Sequence, residues 1–364
     1  MSELNFRSNL LSWYDQHKRD LPWRSCGDPY KVWISEIMLQ QTRVDQAMPY
    51  YYRFVERFPT VQDLAAADQQ EVLKVWEGLG YYSRARHLHH AAQTVVNDFD
   101  GQLPDTWNEI TSLKGIGPYT ASAILSIAFE KEYAVVDGNV IRVLSRYFGI
   151  EDDIRRTATK NEIQQRADEL LDPDRPGDFN QAMMELGATV CAPSNPDCNH
   201  CPVSAECIAY KSVKTDDIPY KSPAKKKPHH QVGVGIIHNE KDEVLIALRP
   251  EDAMLGGLWE FPGGKQTENE DIEETVVREL EEELGVRVNI TKPFMKLDHA
   301  YSHFKITMHA FLCELVDGTP EPNSSQEVKW IAISDLEEYP FPKANRKLTK
   351  KLMQLGTGQQ QLDI

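Results

Sequence analysis

Two carboxylates in contrasting surroundings are the first sign of chemistry. Glu36 lies in WISEIMLQQT among Trp33, Ile34, Ile37, Met38 and Leu39. A carboxyl buried in such a setting keeps its proton above the usual range. Asp137 directly precedes the periodic apolar run GNVIRVLSRYFG, in N-cap position, where helix N–H groups and the dipole favour the ionised form. A protonated carboxyl and an ionised one together are the usual acid and stabiliser for breaking a glycosidic bond. Taken singly, each has a plainer account. Glu36 can lie on the polar side of its helix, and an isolated Asp at a helix start is ordinarily a cap and nothing more.

Four of the six cysteines, Cys191, Cys198, Cys201 and Cys207, fall within seventeen residues with the spacing C-x6-C-x2-C-x5-C. Such clustering points to a soft metal or an iron–sulfur cluster before disulfides. Spacing alone does not choose zinc over iron. A closed four-thiolate site leaves no open position for catalysis, so its role is read as structural. Cys26 and Cys313 stand apart. Between the two carboxylates, LKGIGPYTA at 113–121 places Gly115 and Gly117 in a turn before an apolar helix. That arrangement offers backbone N–H groups to a phosphate, and equally serves as an ordinary turn between helices.

These groups need elements to hold them. Up to about residue 210, apolar residues recur at i, i+3, i+4 and i+7, as in EVLKVWEGLGYYSRARHLHHAAQTVV, and predict helices. Asp105 is placed to cap a helix over DTWNEITSL. TDDIPYKSPAKKKPHH then reads as a linker, polar and rich in proline and lysine. After it, QVGVGIIH and EVLIALR read as strands joined by a turn at NEKD, DIEETVVRELEEELG as a helix, and KITMHAFLCEL and EVKWIAI as strands. The expected organisation is an all-helical domain over 1–213, with the cysteine loop at 191–207. A linker at 214–229 and a smaller α/β domain over 230–364 follow.

Composition bounds the rest. The 364 residues suit two domains, and 41% hydrophobic residues with 7 Trp and 14 Tyr supply cores for both. No run of eighteen apolar residues occurs, and the N-terminus reads as a polar amphipathic helix and not a signal peptide. No membrane association is expected, and the protein is read as a soluble cytoplasmic monomer. The net charge of −16 argues mildly against nucleic acid, but phosphate binding needs local donors and not a basic average.

In order and spacing, the Glu36 segment, the hairpin, VVDGNV and the four-cysteine loop together resemble the helix-hairpin-helix DNA glycosylases. LPWR at 21–24, EIMLQQT at 36–42 and EGLGYYSRA at 77–85 resemble the adenine-specific branch, as does the α/β tail, which looks like that branch's Nudix-like domain. The resemblance implies a [4Fe-4S] cluster on Cys191, Cys198, Cys201 and Cys207. It implies double-stranded DNA as partner, carrying adenine opposite 8-oxoguanine or guanine, with association with the nucleoid. Glu36 would protonate the departing adenine and Asp137 would stabilise the positive sugar, supported by Tyr119 and Asn139. Arg24 and Gln181 would line the pocket for the flipped base. Gln41 and Tyr81 would wedge into the duplex, and the Gly115–Gly117 hairpin would hold a phosphate. Bifunctional relatives carry an attacking lysine where this chain has Tyr119, so base removal without efficient strand cleavage is implied.

In the tail, Gly264, Glu270, Arg278, Glu279, Glu282, Glu283 and Gly285 complete a Nudix box at every fixed position. In working Nudix hydrolases those glutamates hold Mg²⁺ against a diphosphate. The adenine-specific branch uses this domain to recognise oxidised guanine, so Mg²⁺ is not expected to be required. AYSHF at 300–304 resembles the recognition loop, with Ser302 and His303 placed to meet the N7–H that guanine lacks. Three rival readings remain: a bifunctional pyrimidine-damage glycosylase, a nucleotide diphosphatase with a DNA-binding domain, and an iron–sulfur DNA sensor without catalysis.

Overall fold

The structure, a computed structural model, describes residues 3–24, 27–223 and 226–357; Cys26 lies outside them. Among the described residues, twelve α-helices precede the first strand: α1 (Glu3–His17), α2 (Pro29–Leu39), α3 (Val44–Arg57), α4 (Val61–Ala66), α5 (Gln69–Trp76), α6 (Ser83–Asp98), α7 (Trp107–Ser112), α8 (Pro118–Phe129), α9 (Gly138–Phe148), α10 (Thr157–Leu170), α11 (Pro176–Thr189) and α12 (Ile208–Lys211). The chain divides into two compact units, Met1–Ala65 with His90–Ala224, and Ala66–His89 with Lys225–Ile364. The segment from Ala66 to His89 belongs by its contacts to the second unit, although its periodicity reads with the helical half. No helix among the described residues is long and apolar enough to cross a membrane.

In the first unit, α1 buries Phe6, Leu10, Leu11 and Tyr14 against Val140, Val143 and Leu144 of α9 and Phe179, Met183 and Leu186 of α11. These residues recur at helical spacing and form one apolar stripe per helix. The long periodic segment over 71–96 is not one helix. It breaks between Trp76 and Ser83, where Gly78 and Gly80 take positive φ and Tyr81 is left-handed at φ 50. Thr106, and not Asp105, caps α7 by accepting the Glu109 N–H, while Asp105 pairs with Lys131 at 3.0 Å. Either side chain of the D-T pair can cap, and the ion pair draws the aspartate away.

The second unit is built on a seven-stranded sheet: β1 (His229–His238), β2 (Glu243–Leu248), β3 (Trp259–Glu260), β4 (Gly263–Lys265), β5 (Arg287–Ala300), β6 (Lys305–Asp317) and β7 (Glu327–Ala332). Its order is β3-β2-β1-β6-β5, with β4 on β1 and β7 on β2; β1 and β6 run parallel. α13 (Ile272–Leu284) packs Val276, Leu280 and Leu284 on one face. α14 (Asn345–Thr357) packs Leu348 and Leu352 on the other, against Val234, Ile236 and Phe341. Gly233 and Gly235 alternate with Val234 and Ile236 because α13 lies close. A Cβ on either would meet Val276 or Leu280 at 2.8 or 2.5 Å. All four expected strands form, β1 pairing with β2 as expected while β6 pairs with β1 and β7 with β2, and α13 runs from Asp271 as cap to Gly285, left-handed at φ 68. β5, β3, β4 and α14 are additions to the sequence reading.

Candidate active site

In the first unit, a pocket of about 520 Å³ is lined by Glu36, Tyr119, Asp137, Asn139, Arg24 and Gln181 together. They come from five places: α2, the start of α8, the start of α9, the loop after α1, and α11. α2 is apolar nearly all round, burying Tyr30, Val32, Trp33, Ile34, Ile37 and Met38, so Glu36 is carried inward with them and is 5% exposed. Burial raises its carboxyl to about 7; Asp137 adds to the rise, while the Tyr119 hydrogen bond and Arg24 oppose it. The Tyr119 hydroxyl donates to Glu36 Oε2 at 3.0 Å.

Asp137 caps α9. One oxygen accepts the Val140 N–H at 2.7 Å and the other the Asn139 amide at 2.9 Å. These donors favour the anion, as the sequence implies. Burial is nevertheless the larger effect, and the net direction is upward from the ordinary aspartate value. α11 approaches this corner closely: a Cβ on Gly187 would meet Asn139 at 2.6 Å. Arg142 ties the same corner to the cysteine loop, donating to Asn139 Oδ1 at 2.9 Å, Gly187 O at 2.7 Å and Cys191 O at 2.7 Å.

Gln41 is exposed, just beyond α2, and left-handed at φ 58. Gly115 is likewise left-handed, at φ 87, and Gly117 caps α8 with open space where a side chain would stand. A left-handed non-glycine residue stores strain of about 1–3 kcal/mol and persists only where surroundings hold it. The same holds for Tyr81, in the second unit, whose hydroxyl lies 2.6 Å from Ser302 Oγ. Ser302 and His303 are exposed in the turn joining β5 to β6, closed by Tyr301 N–H to Phe304 O at 2.8 Å. In the Nudix box, Arg278 bonds Glu270 at 2.7 Å and Glu279 and Glu282 at 3.0 Å, and Glu283 accepts the Gly263 N–H at 3.0 Å.

Cys191, Cys198, Cys201 and Cys207 line one small cavity with Arg146, whose guanidinium lies 3.4 Å from Cys191 Sγ. Burial first, then repulsion among neighbouring thiolates, raises Cys198, Cys207 and Cys201, the last to about 12. Four thiolates here need a positive group between them. Among the described residues, no three Cys, His, Asp or Glu side chains are gathered closely enough to hold a single metal ion.

Sequence reasoning missed Glu185, although α11 carries it one turn beyond Gln181. Its side chain lines the same pocket and is 1% exposed. Oε1 accepts from Arg19 N and Nε at 3.1 and 2.7 Å, and Oε2 from Arg19 and Arg24 at 2.9 and 2.6 Å. Arginine partners more than 160 residues away leave no local signal in the sequence.

Comparison with known proteins agrees with both halves. A family described as "HhH-GPD superfamily base excision DNA repair protein" matches residues 34–173, which span Glu36 to Asp137 and beyond. One described as "NUDIX domain" matches 233–351. The adenine DNA glycosylase of Mus musculus is 37% identical over 90% of this chain and 73% of its own length. That of Buchnera aphidicola subsp. Schizaphis graminum is 32% identical over 94% and 97%. Among solved structures, a thermostable thymine-DNA glycosylase superposes with a TM-score of 0.52 at 31% identity, over 58% of this chain and 97% of that one. This chain therefore belongs to the adenine DNA glycosylases, hydrolases of N-glycosyl bonds.

Proposed function

We propose that this chain, acting as a monomer on double-stranded DNA, removes adenine lying opposite 8-oxoguanine or guanine. The observation that carries the reading is the pairing of Glu36, raised to about 7 by burial, with Asp137 in one pocket. Adenine flipped into that pocket leaves poorly as an anion. Glu36 donates a proton to the ring, and the C–N bond to the sugar breaks as the positive charge develops; water then adds at the sugar carbon and gives up a proton, leaving an abasic sugar. Asp137, held by the α9 N-terminus and Asn139, faces that charge as an anion. Tyr119 fills the position of the attacking lysine of bifunctional relatives, and no lysine is among the described residues lining the pocket. Release of adenine without efficient strand cleavage follows.

Gln41 and Tyr81 serve as wedges in the opened duplex, each from a left-handed backbone position. The Gly115–Gly117 hairpin holds a phosphate, and Ser302 and His303 read the N7–H of oxidised guanine. Cys191, Cys198, Cys201 and Cys207 hold a [4Fe-4S] cluster, which spans more space than a single ion and supplies cross-linking of the loop and not catalysis. Mg²⁺ at the Nudix glutamates is not needed, because no step of adenine release calls for it. The reading is tested by glycosylase assay on duplexes with adenine opposite 8-oxoguanine, guanine, cytosine and thymine. Release is expected from the first two. Equal release from all four would overturn the opposite-base assignment.

A further inference from the structure

Glu185 is the most fully engaged buried carboxylate of the pocket, and the chemistry assigned above makes no use of it. All four of its acceptor positions are taken, three by Arg19 and one by Arg24. Burial pushes its carboxyl up, but the hydrogen bonds from Arg19 and Arg24 more than offset this and hold it at about 2. It is therefore an anion at any working pH. Arg24 is further fixed by a bond to Arg19 O at 3.0 Å and by stacking 5.6 Å over the Tyr14 ring. With its side chain 10% exposed, Arg24 has little solvent to screen its charge, so a compensating anion in contact matters more than at the surface.

We propose that Glu185 is a positioning residue for the acid chemistry: it fixes Arg24 in the pocket wall and cancels its charge, so that the cation does not draw the proton off Glu36. This rests on the reading of Glu36 as the acid. The charged and titratable groups acting on Glu36 are Tyr119 from α8, Asp137 before α9 and Arg24 from the loop after α1. Arg19, Arg43, Asp45 and Arg142 also line the pocket. Of the three that act on Glu36, only Arg24 is a cation, and it opposes the proton. Removing the anion that neutralises Arg24 leaves more net positive charge beside Glu36. Its ionised form is then favoured and its pKa falls. Removing Arg24 instead takes away the opposing cation, and the pKa rises.

The test is the pH profile of single-turnover adenine release from an adenine:8-oxoguanine duplex, with thermal melting of each full-length variant as a check on folding. Glu185→Gln should move the basic limb to lower pH by about one pH unit. Arg24→Gln should move it to higher pH, and Glu185→Gln with Arg24→Gln should return it close to the parent's. Should Glu185→Gln fail to fold with Arg19 and Arg24 left without their carboxylate, Glu185→Asp, whose shorter side chain loosens the contact with Arg24, replaces it and should move the limb the same way by less. A limb unmoved by these changes, or moved the same way by both single changes, overturns the proposal. Glu36→Gln separates the two levels. If it keeps turnover, the acid assignment falls and takes this inference with it. If it loses turnover while the limb stays fixed in the Glu185 and Arg24 variants, the inference about Glu185 alone is wrong.

Discussion

Tyr119 and Glu36 are joined by one hydrogen bond, from the phenol to Oε2 at 3.0 Å. Burial holds the phenol itself well above its ordinary value, with the charges of Glu36 and Asp137 adding to the effect, so it acts as a donor and not as a base. It therefore stabilises the ionised form of Glu36 against the burial that favours the protonated one. Tyr119→Phe removes that donor. The pKa of Glu36 should rise, and the basic limb of the pH–rate profile should move to higher pH than the parent's. An unmoved limb would show that the bond does not tune the acid.

Asp137→Asn separates capping from electrostatics. Asparagine caps a helix about as well as aspartate, so melting temperature should change little. Adenine release should fall by about 10²–10³-fold, typical of losing a preorganised charge at the transition state. A loss confined to thermal stability would reduce Asp137 to a cap.

The cysteine cavity makes a compositional prediction. The purified protein should be brown and contain iron and sulfide in equal amounts. Zinc at one atom per chain, with no visible absorbance, would overturn the cluster.

Lesion reading and base removal should come apart on mutation. Ser302→Ala with His303→Ala should weaken the preference for 8-oxoguanine over guanine by roughly ten- to a hundredfold, equivalent to about 1–3 kcal/mol. Release from the preferred duplex should suffer less. Glu282→Gln, one of three carboxylates bound to Arg278, should leave adenine release nearly unchanged. If the double variant discriminates as well as the parent, AYSHF is not the lesion reader.

Asp137 was legible because one polar residue before a strongly periodic run marks a helix start, and α9 begins at Gly138 as that implies. The orientation of Glu36 was not. α2 buries residues all round, so periodicity offers no polar face on which to place a carboxylate. Glu185 was invisible for a different reason. Its meaning lies in Arg19 and Arg24, which chain folding and not spacing brings to it. β5 was missed because Pro293 and three register shifts between Arg287 and Met295 break its period of two. The segment from Ala66 to His89 reads as helix, but which unit it joins depends on partners such as Ser302 for Tyr81 and the Phe341 N–H for Glu77. No local pattern encodes those.

The central claim is that Glu36 supplies the proton that lets adenine leave. Single-turnover release of adenine from an adenine:8-oxoguanine duplex, measured for Glu36→Gln beside the parent with duplex affinity determined for both, tests it most directly. The account predicts near-parent binding and a fall in release of about 10²–10⁴-fold, the range for losing a general acid. Near-parent release by Glu36→Gln would contradict it.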